Sequence, residues 1–292
     1  RTLPAFYQLQ VSGPCPQTCS FCPYPVFGAK DGSPITARKD FMSPEDFSRI
    51  LDKICSFSGD AVIDLSLWGE ASLHPDIEAL VQAVLSRDSL SLVLESSGIG
   101  WDAPMLDRIA KILSNSKKRN GGLARLSWII SLDSDSPERY RKIRGEGFEQ
   151  AKQCVALLAE RFPGAVYVQA LRIRDEEDDL EQFYRNWKEK DVQIIVQKYD
   201  HFCGYLPDLK AGDLSPIQRN PCWHLMRDIS ILVDGTVPLC REDVEAERIL
   251  GNVFSDDLEK IWAQGMVYYK EQCAGTYSGI CAGCDEYYTY NF

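Results

Sequence analysis

Cys15-Pro16-Gln17-Thr18-Cys19-Ser20-Phe21-Cys22 follows directly on Phe6-Tyr7-Gln8-Leu9-Gln10-Val11, a β-rich run. A strand over Phe6 to Val11 places the three thiols in the loop at its C-terminal end. In barrel-like α/β folds that end of the strands carries the active site.

Outward from this loop, residues 6 to 198 alternate short β-rich runs with amphipathic stretches, which predicts βα units around a parallel sheet. Strands are expected at Phe6 to Val11, Val62 to Leu67, Leu90 to Glu95, Leu126 to Leu132, Val166 to Leu171 and Gln193 to Gln197. The first helix is expected to open at Ser43-Pro44-Glu45-Asp46, where serine caps, proline suits the first turn and acids face the positive helix end. Apolar spacing of 3.6 residues predicts further helices over 76–86, 103–117, 148–160 and 178–189. Six strands with crossover helices predict an α/β class and an open, partial barrel.

After Lys198 the alternation stops. Ile229 to Leu239 predicts a hairpin turning at Asp234-Gly235, and Asp256 to Gln272 a helix. The expected division is a core domain over 1–205 and a smaller domain over 206–292, joined through Pro207, Gly212 and Pro216.

A hydrophobic content of 45% over 292 residues allows a large buried core and excludes a disordered chain. A net charge of −11 argues against a nucleic-acid footprint or attraction to anionic lipid, and favours a small or peptide-like partner. There is no apolar run of about 18 residues and no secretory pattern at the N-terminus, so a cytoplasmic chain away from membranes is expected. Because it begins at Arg1 and ends on an aromatic-rich segment, the chain is expected to be cut from a longer protein.

Eleven cysteines are too many for inert packing residues, and an odd number does not suit a disulfide framework. Cys15, Cys19, Cys22, Cys222, Cys240, Cys281 and Cys284 have motif-like spacings, whereas Cys55, Cys154, Cys203 and Cys273 stand apart. Cys55 and Cys154 lie in helix-like apolar patterns and read as small buried hydrophobes. Thiolates are the usual ligands of iron-sulfur clusters, and three for a four-iron cube leave one iron open. A small ligand with an amine and a carboxylate can chelate such an open position. The other readings of the three cysteines are zinc or unrelated packing. Zinc would more often use paired CxxC or histidine ligands, and the chain has only His74, His201 and His224.

The CxxxCxxC spacing with Phe21 before the last cysteine resembles the radical S-adenosylmethionine superfamily over about residues 6 to 198. Leu67-Trp68-Gly69-Glu70 resembles its Gly-Gly-Glu strand end, with Trp68 in place of the first glycine. Ile130-Ser131-Leu132-Asp133 and Lys142-Ile143-Arg144-Gly145 resemble its Ser-Leu-Asp and Lys-Ile-Arg-Gly segments. The resemblance implies that Cys15, Cys19 and Cys22 hold a 4Fe-4S cluster. It implies that Gly69 and Glu70 receive the methionyl ammonium, and that Ser131 and Asp133 meet the ribose or methionyl group. Arg144 would neutralise the carboxylate, which its planar fork suits. Phe21 and Leu171 would lie by the adenine.

Cys222, twelve residues, Gly235, four residues, Cys240, and then Cys281-x-x-Cys284 resemble the auxiliary-cluster region called SPASM, or its shortened form, twitch. A full SPASM region has a further cysteine six positions after the CxxC pair, where this chain has Tyr290. The resemblance therefore implies one auxiliary 4Fe-4S cluster on Cys222, Cys240, Cys281 and Cys284, with Cys273 as an alternative ligand and a structural zinc ribbon as the other reading of the set.

Together these resemblances imply an enzyme that reductively cleaves S-adenosyl-L-methionine to methionine and a 5'-deoxyadenosyl radical, supplied with electrons by a reduced flavodoxin or ferredoxin. The expected outcome is oxidation or other modification of a peptide or protein. The alternatives are dehydrogenation of a small sugar-alcohol-like molecule and, in another class, a non-catalytic iron-sulfur electron carrier. Glu242 and Asp243, close after Cys240, are the candidate bases.

Overall fold

The computed structural model describes residues 3–27, 41–119, 124–212 and 218–286. Its elements run β1 (Phe6–Leu9), α1 (Pro23–Phe27), α2 (Pro44–Ser58), β2 (Ala61–Asp64), α3 (Ile77–Leu85), β3 (Leu90–Ser96), α4 (Ala103–Ser114) and β4 (Leu126–Ser131). They continue α5 (Pro137–Arg144), α6 (Phe148–Arg161), β5 (Val166–Arg172), α7 (Glu177–Trp187), β6 (Gln193–Lys198), β7 (Asp228–Ile231), β8 (Thr236–Pro238), β9 (Ile249–Asn252), α8 (Leu258–Cys273) and α9 (Ile280–Gly283). The first six strands form the expected parallel sheet, in the order β6-β5-β4-β3-β2-β1.

Alternation along the strands separates two faces. Tyr7, Leu9, Ile63, Leu92, Leu94, Trp128, Ile130, Val168 and Ala170 are buried in one core with residues of α2, α3, α4, α6 and α7. The opposite face carries a polar row. Gln8 is paired in register with Asp64, and Ser131 with Gln169, while Glu95 lies in line two residues after Val93, the register partner of Asp64. A strand covered only by apolar packing has no use for these side chains, so this face is shaped for a polar occupant.

The helix starts follow local chemistry. Ser43 accepts a hydrogen bond from Asp46 N at 3.0 Å to cap α2, and Asp102 accepts one from Met105 N at 2.8 Å to cap α4. The sequence pattern did not predict α1 or α5. The latter is capped by Ser136, has Pro137 in its first turn, and stops at Gly145 with φ of +97°.

The expected hairpin over Ile229 to Leu239 is corrected. β7 joins the large sheet as a seventh strand, parallel to β1, with Tyr7 opposite Ile229 and Leu9 opposite Ile231. The turn at Asp234-Gly235 does form, with Gly235 at φ of +83° and Leu232 N donating to Thr236 O at 2.8 Å. It leads the chain away into β8, which pairs antiparallel with β9. The physical reason is the open edge of β1: β7 buries Ile229 and Ile231 there and satisfies the edge hydrogen bonds.

Cys154 is buried in α6, and Cys55 is half-buried in α2. Pro216 and Tyr290 lie outside the described residues. Among the described residues no helix is long and apolar enough to cross a membrane.

Candidate active site

The cysteine loop is held from two sides by backbone. On one side Gly69 packs on the Ser12 carbonyl, and Glu70 N donates to Pro14 O at 2.9 Å. On the other, Thr18 N donates to Arg144 O at 3.1 Å and Ser20 N to Ile143 O at 2.9 Å. A Cβ on Gly145 would stand 2.6 Å from Thr18 Oγ1, so this glycine permits the close approach of the α5 end to the loop. Gln17 Nε2 donates to Glu146 O at 2.7 Å, completing the clamp.

All three thiols line a cavity of about 210 Å³, and so do Phe21, Gly69, Glu70, Ser131, Asp133, Arg144 and Leu171. The structure thus brings together every residue that the sequence associated with the first cluster and its cofactor. Burial pushes the Cys15 thiol up to about 12 and raises those of Cys19 and Cys22, with the Arg144 guanidinium pulling all three the other way.

Glu70 is buried, and its carboxylate is already engaged. It accepts from Ser96 Oγ at 2.7 Å, Ser97 Oγ at 2.6 Å, Ser97 N at 2.8 Å and Ser72 N at 3.3 Å. Asp133, at φ of +62°, accepts from Arg144 Nη1 at 2.5 Å and from Leu171 N at 2.7 Å. Burial opposes the charge on Arg144, but Cys19 and Asp133 outweigh it and hold the guanidinium ionised. Its buried Nε has no hydrogen-bond partner among the described residues. Ser131 Oγ accepts a 3.4 Å hydrogen bond from Gln169 Nε2, which also donates to Glu95 at 2.8 Å.

A second cavity lies next to the first. Cys222, Cys240, Cys281 and Cys284 line it, and so does Cys203, which the sequence pattern left apart. Cys273, the expected alternative ligand, is exposed at the end of α8 and is not part of this lining. Glu242 lines the second cavity, whereas Asp243 lines neither. Both carboxylate oxygens of Asp243 hold backbone instead, accepting from Glu247 N at 2.9 Å and Arg248 N at 3.0 Å.

A layer of ion pairs separates the cavities. Arg241 and Gln8 line both. Arg241 Nε is 2.8 Å from Glu242, Lys198 Nζ is 2.8 Å from Glu286, and His224 Nε2 is 3.1 Å from Glu286. Burial opposes ionisation of Glu286, yet His224, Arg241 and Lys198 hold its carboxyl well below the usual range. Lys198, Asp200, Arg241, Gln8, Glu95 and Gln169 escaped the sequence reading as site residues. The available signal was an isolated polar residue within an apolar parallel strand, which Gln8, Glu95 and Gln169 display.

The donor sets fit clusters better than single ions. Among the described residues, no three cysteine sulfurs lie mutually within 4.8 Å. Tetrahedral zinc with sulfurs at about 2.3 Å requires sulfur-sulfur separations of about 3.8 Å. Both sets are too open for one ion, and each offers only thiols, the donors an iron-sulfur cube takes. Asp200, Asp285 and Glu286 do have one-ion spacing, but Lys198, Lys210 and Arg241 already neutralise them.

The Radical SAM superfamily profile matches residues 9–186, and the iron-sulfur cluster-binding domain SPASM matches residues 222–285. A protein of Treponema pallidum (strain Nichols), described as uncharacterized, is 37% identical over 299 residues, covering 100% of this chain and 81% of that protein. Among solved structures, BtrN in complex with AdoMet and 2-DOIA aligns with a TM-score of 0.62 at 15% identity, over 97% of this chain and 93% of that one. Streptococcus suis SuiB bound to precursor peptide SuiA aligns with a TM-score of 0.68 at 15% identity, over 89% of this chain and 65% of that one. anSMEcpe with bound AdoMet aligns with a TM-score of 0.65 at 13% identity, over 94% and 86%. The chain belongs to the radical SAM superfamily and carries a SPASM iron-sulfur domain, with S-adenosyl-L-methionine, a 4Fe-4S cluster and an auxiliary iron-sulfur cluster as its cofactors.

Proposed function

We propose that the chain is an oxidising maturase. In this reading Cys15, Cys19 and Cys22 hold the radical-generating cluster, and Cys222, Cys240, Cys281 and Cys284 hold the auxiliary one. A peptide or protein group occupies the cavity beside them. When bound, the first cluster and S-adenosyl-L-methionine supply a 5'-deoxyadenosyl radical that removes a hydrogen atom from the substrate. The observation that carries the reading is the common wall: Gln8 and Arg241 line both thiol-bearing cavities. The auxiliary cluster, when bound, would lie across this layer and could accept a second electron from the substrate.

The protein's own groups orient the cofactor. Phe21 and Leu171 flank the adenine, Ser131 faces the ribose or methionyl group, and the backbone at Gly69 accepts the ammonium. Glu70 and Asp133 act at one remove, because their oxygens are occupied by Ser96, Ser97, Arg144 and Leu171. Arg144 meets the carboxylate. Of the two acids after Cys240, Asp243 is committed to the backbone of Glu247 and Arg248, which leaves Glu242, on the auxiliary side of the common wall and with its carboxyl raised by burial, for the proton-accepting role. A reduced flavodoxin or ferredoxin is the electron donor, and the natural division of labour is a core over 1–205 and an auxiliary domain over 206–292.

A second substrate class has specific support. Gln8, Glu95, Gln169, Lys198 and Asp200 give the cavity a floor rich in hydrogen-bonding groups, which suits a small polyhydroxylated molecule, and BtrN aligns nearly end to end. SuiB, solved with its precursor peptide, supports the peptide reading. Anaerobic incubation of reconstituted protein with dithionite and S-adenosyl-L-methionine tests the common chemistry. 5'-Deoxyadenosine should form and should vanish in the Cys15→Ala, Cys19→Ala, Cys22→Ala triple variant, and its absence from the parent would end the proposal. Stimulation of its release by peptides rather than by polyols separates the two classes.

A further inference from the structure

Cys203 lies in the same cavity as the four cysteines of the SPASM pattern, although nineteen positions precede Cys222 from it. Its thiol shares that lining with Cys284, whose turn the Cys203 backbone contacts at Gly283. The turn that carries it is unusual. Phe202 and Cys203 have φ of +49° and +55°, a left-handed conformation that costs non-glycine residues about 1 kcal/mol or more each.

Several contacts hold this turn. Phe202 N donates to Asp200 Oδ1 at 2.7 Å, Gly204 N to His201 Nδ1 at 2.8 Å, and Leu206 N to His201 O at 3.0 Å. The Cys203 carbonyl also packs on Gly283, inside the Cys281-x-x-Cys284 turn, where an added Cβ would stand 3.1 Å from it. The two segments are therefore fitted to each other. Back to back on one turn, Phe202 lines the first cavity and Cys203 the second.

We propose that Cys203 is a second thiol ligand for the corner of the auxiliary cluster that Cys284 faces, so that either cysteine can complete the four-thiolate set. The argument is geometric. A cube has four corners and five thiols line the cavity, and Cys203, whose carbonyl packs on the Cys281-x-x-Cys284 turn, is the one placed to share a corner with Cys284. Cys222, Cys240 and Cys281 have no such substitute in the cavity lining. This inference rests on the assignment of the auxiliary cluster to the SPASM cysteines.

The experiment uses the full chain with Cys15, Cys19 and Cys22 changed to alanine, so that only auxiliary iron is counted. Iron and sulfide content and the electron paramagnetic resonance spectrum of the reduced cluster are measured after anaerobic reconstitution. Cys203→Ala and Cys284→Ala should each retain about four irons per chain. The double variant, left with three thiols and one open iron, should show a changed spectrum and lose iron more readily than either single variant. Cys284→Ala matching the double variant in iron content and spectrum overturns the proposal. Full retention of iron together with an unchanged spectrum in Cys240→Ala overturns instead the assignment on which it rests. Alkylation mapped by mass spectrometry gives a second readout within folded holoprotein. One of the two thiols should be modified in the parent, and the remaining one should be protected in each single variant. Modification of Cys203 in holo Cys284→Ala is the contrary result.

Discussion

The Cα of Gly69 faces the carbonyl oxygen of Ser12 so closely that a Cβ built on it would stand 1.8 Å from that oxygen. The φ of Gly69 is +135°, so both space and backbone conformation exclude a side chain. Because Glu70 N is hydrogen-bonded to Pro14 O, this contact ties the loop between β2 and α3 to the residues just before Cys15. Gly69 therefore holds the cysteine loop in place.

Gly69→Ala should accordingly destabilise the chain by about 3 kcal/mol or more, because backbone rather than a flexible side-chain tip must move. Gly59→Ala is the matched control: Gly59 has φ of +74° but nothing within 4 Å of the added Cβ, so only a backbone cost of about 1 kcal/mol remains. Urea midpoints of the two variants give the comparison. Equal losses would mean that the Ser12 contact contributes nothing beyond backbone strain.

Arg144 and Asp133 are both buried, and their ion pair closes one side of the cavity. Removing either partner alone leaves an uncompensated charge, at a cost of about 3 kcal/mol or more. Asp133→Asn should be the worse single change, because Arg144 then keeps a buried charge without its carboxylate. Arg144→Met leaves Asp133 with the Leu171 N–H. The double variant should be more stable than the sum of the singles predicts, with a coupling above about 1 kcal/mol. Strict additivity in a denaturation cycle would show that the pair does not act as a unit.

These two contacts mark what the sequence could and could not disclose. The Cys15 to Cys22 spacing and the β-rich runs before and after it were legible because they are local: ligand spacing and strand alternation are written within a few residues. The sequence marked Glu70 and Asp133, which the structure places in the cavity lining, but not their hydrogen bonds, because Ser96 and Ser97 arrive with β3 and Leu171 with β5. β7 was misread for a similar reason. Its Asp234-Gly235 turn is a true local signal, while the preference of Ile229 and Ile231 for the β1 edge depends on tertiary pairing. Cys203 had no motif spacing at all, and only the fold brings it to Cys284.

Glu70 accepts from two serine hydroxyls and two backbone N–H groups. Glu70→Gln replaces one acceptor oxygen by a donor and sets it against groups that donate. The expected loss is about 1–3 kcal/mol in stability. Ser97→Ala, which removes a single hydroxyl partner and leaves the Ser97 N–H in place, should cost about 1 kcal/mol. Thermal melts of the reconstituted variants provide the measurement. A Glu70→Gln protein that melts with the parent, yet binds S-adenosyl-L-methionine weakly, would return the carboxylate to direct cofactor contact.

Asp64 supplies a pH-dependent test of the polar inner face. Burial first, and then the negative charge of Glu95, push its carboxyl up to about 7, against the opposing pull of Ser66, Arg241 and Gln8. Its Oδ2 accepts from Ser66 Oγ at 2.6 Å, while the buried Oδ1 has no hydrogen-bond partner among the described residues. In the unfolded chain the group titrates near 3.9. Below that value both states are protonated and folding carries no ionisation cost. As pH rises toward the folded value, the unfolded state ionises first and stability falls, and above it the full penalty is present. Asp64→Asn removes this titration, so its stability relative to the parent should improve between pH 5 and pH 8, by on the order of a few kcal/mol at most. Urea midpoints of the two anaerobically reconstituted proteins across that range measure the difference, and an advantage that stays level would show that Asp64 ionises in the folded chain near its ordinary value.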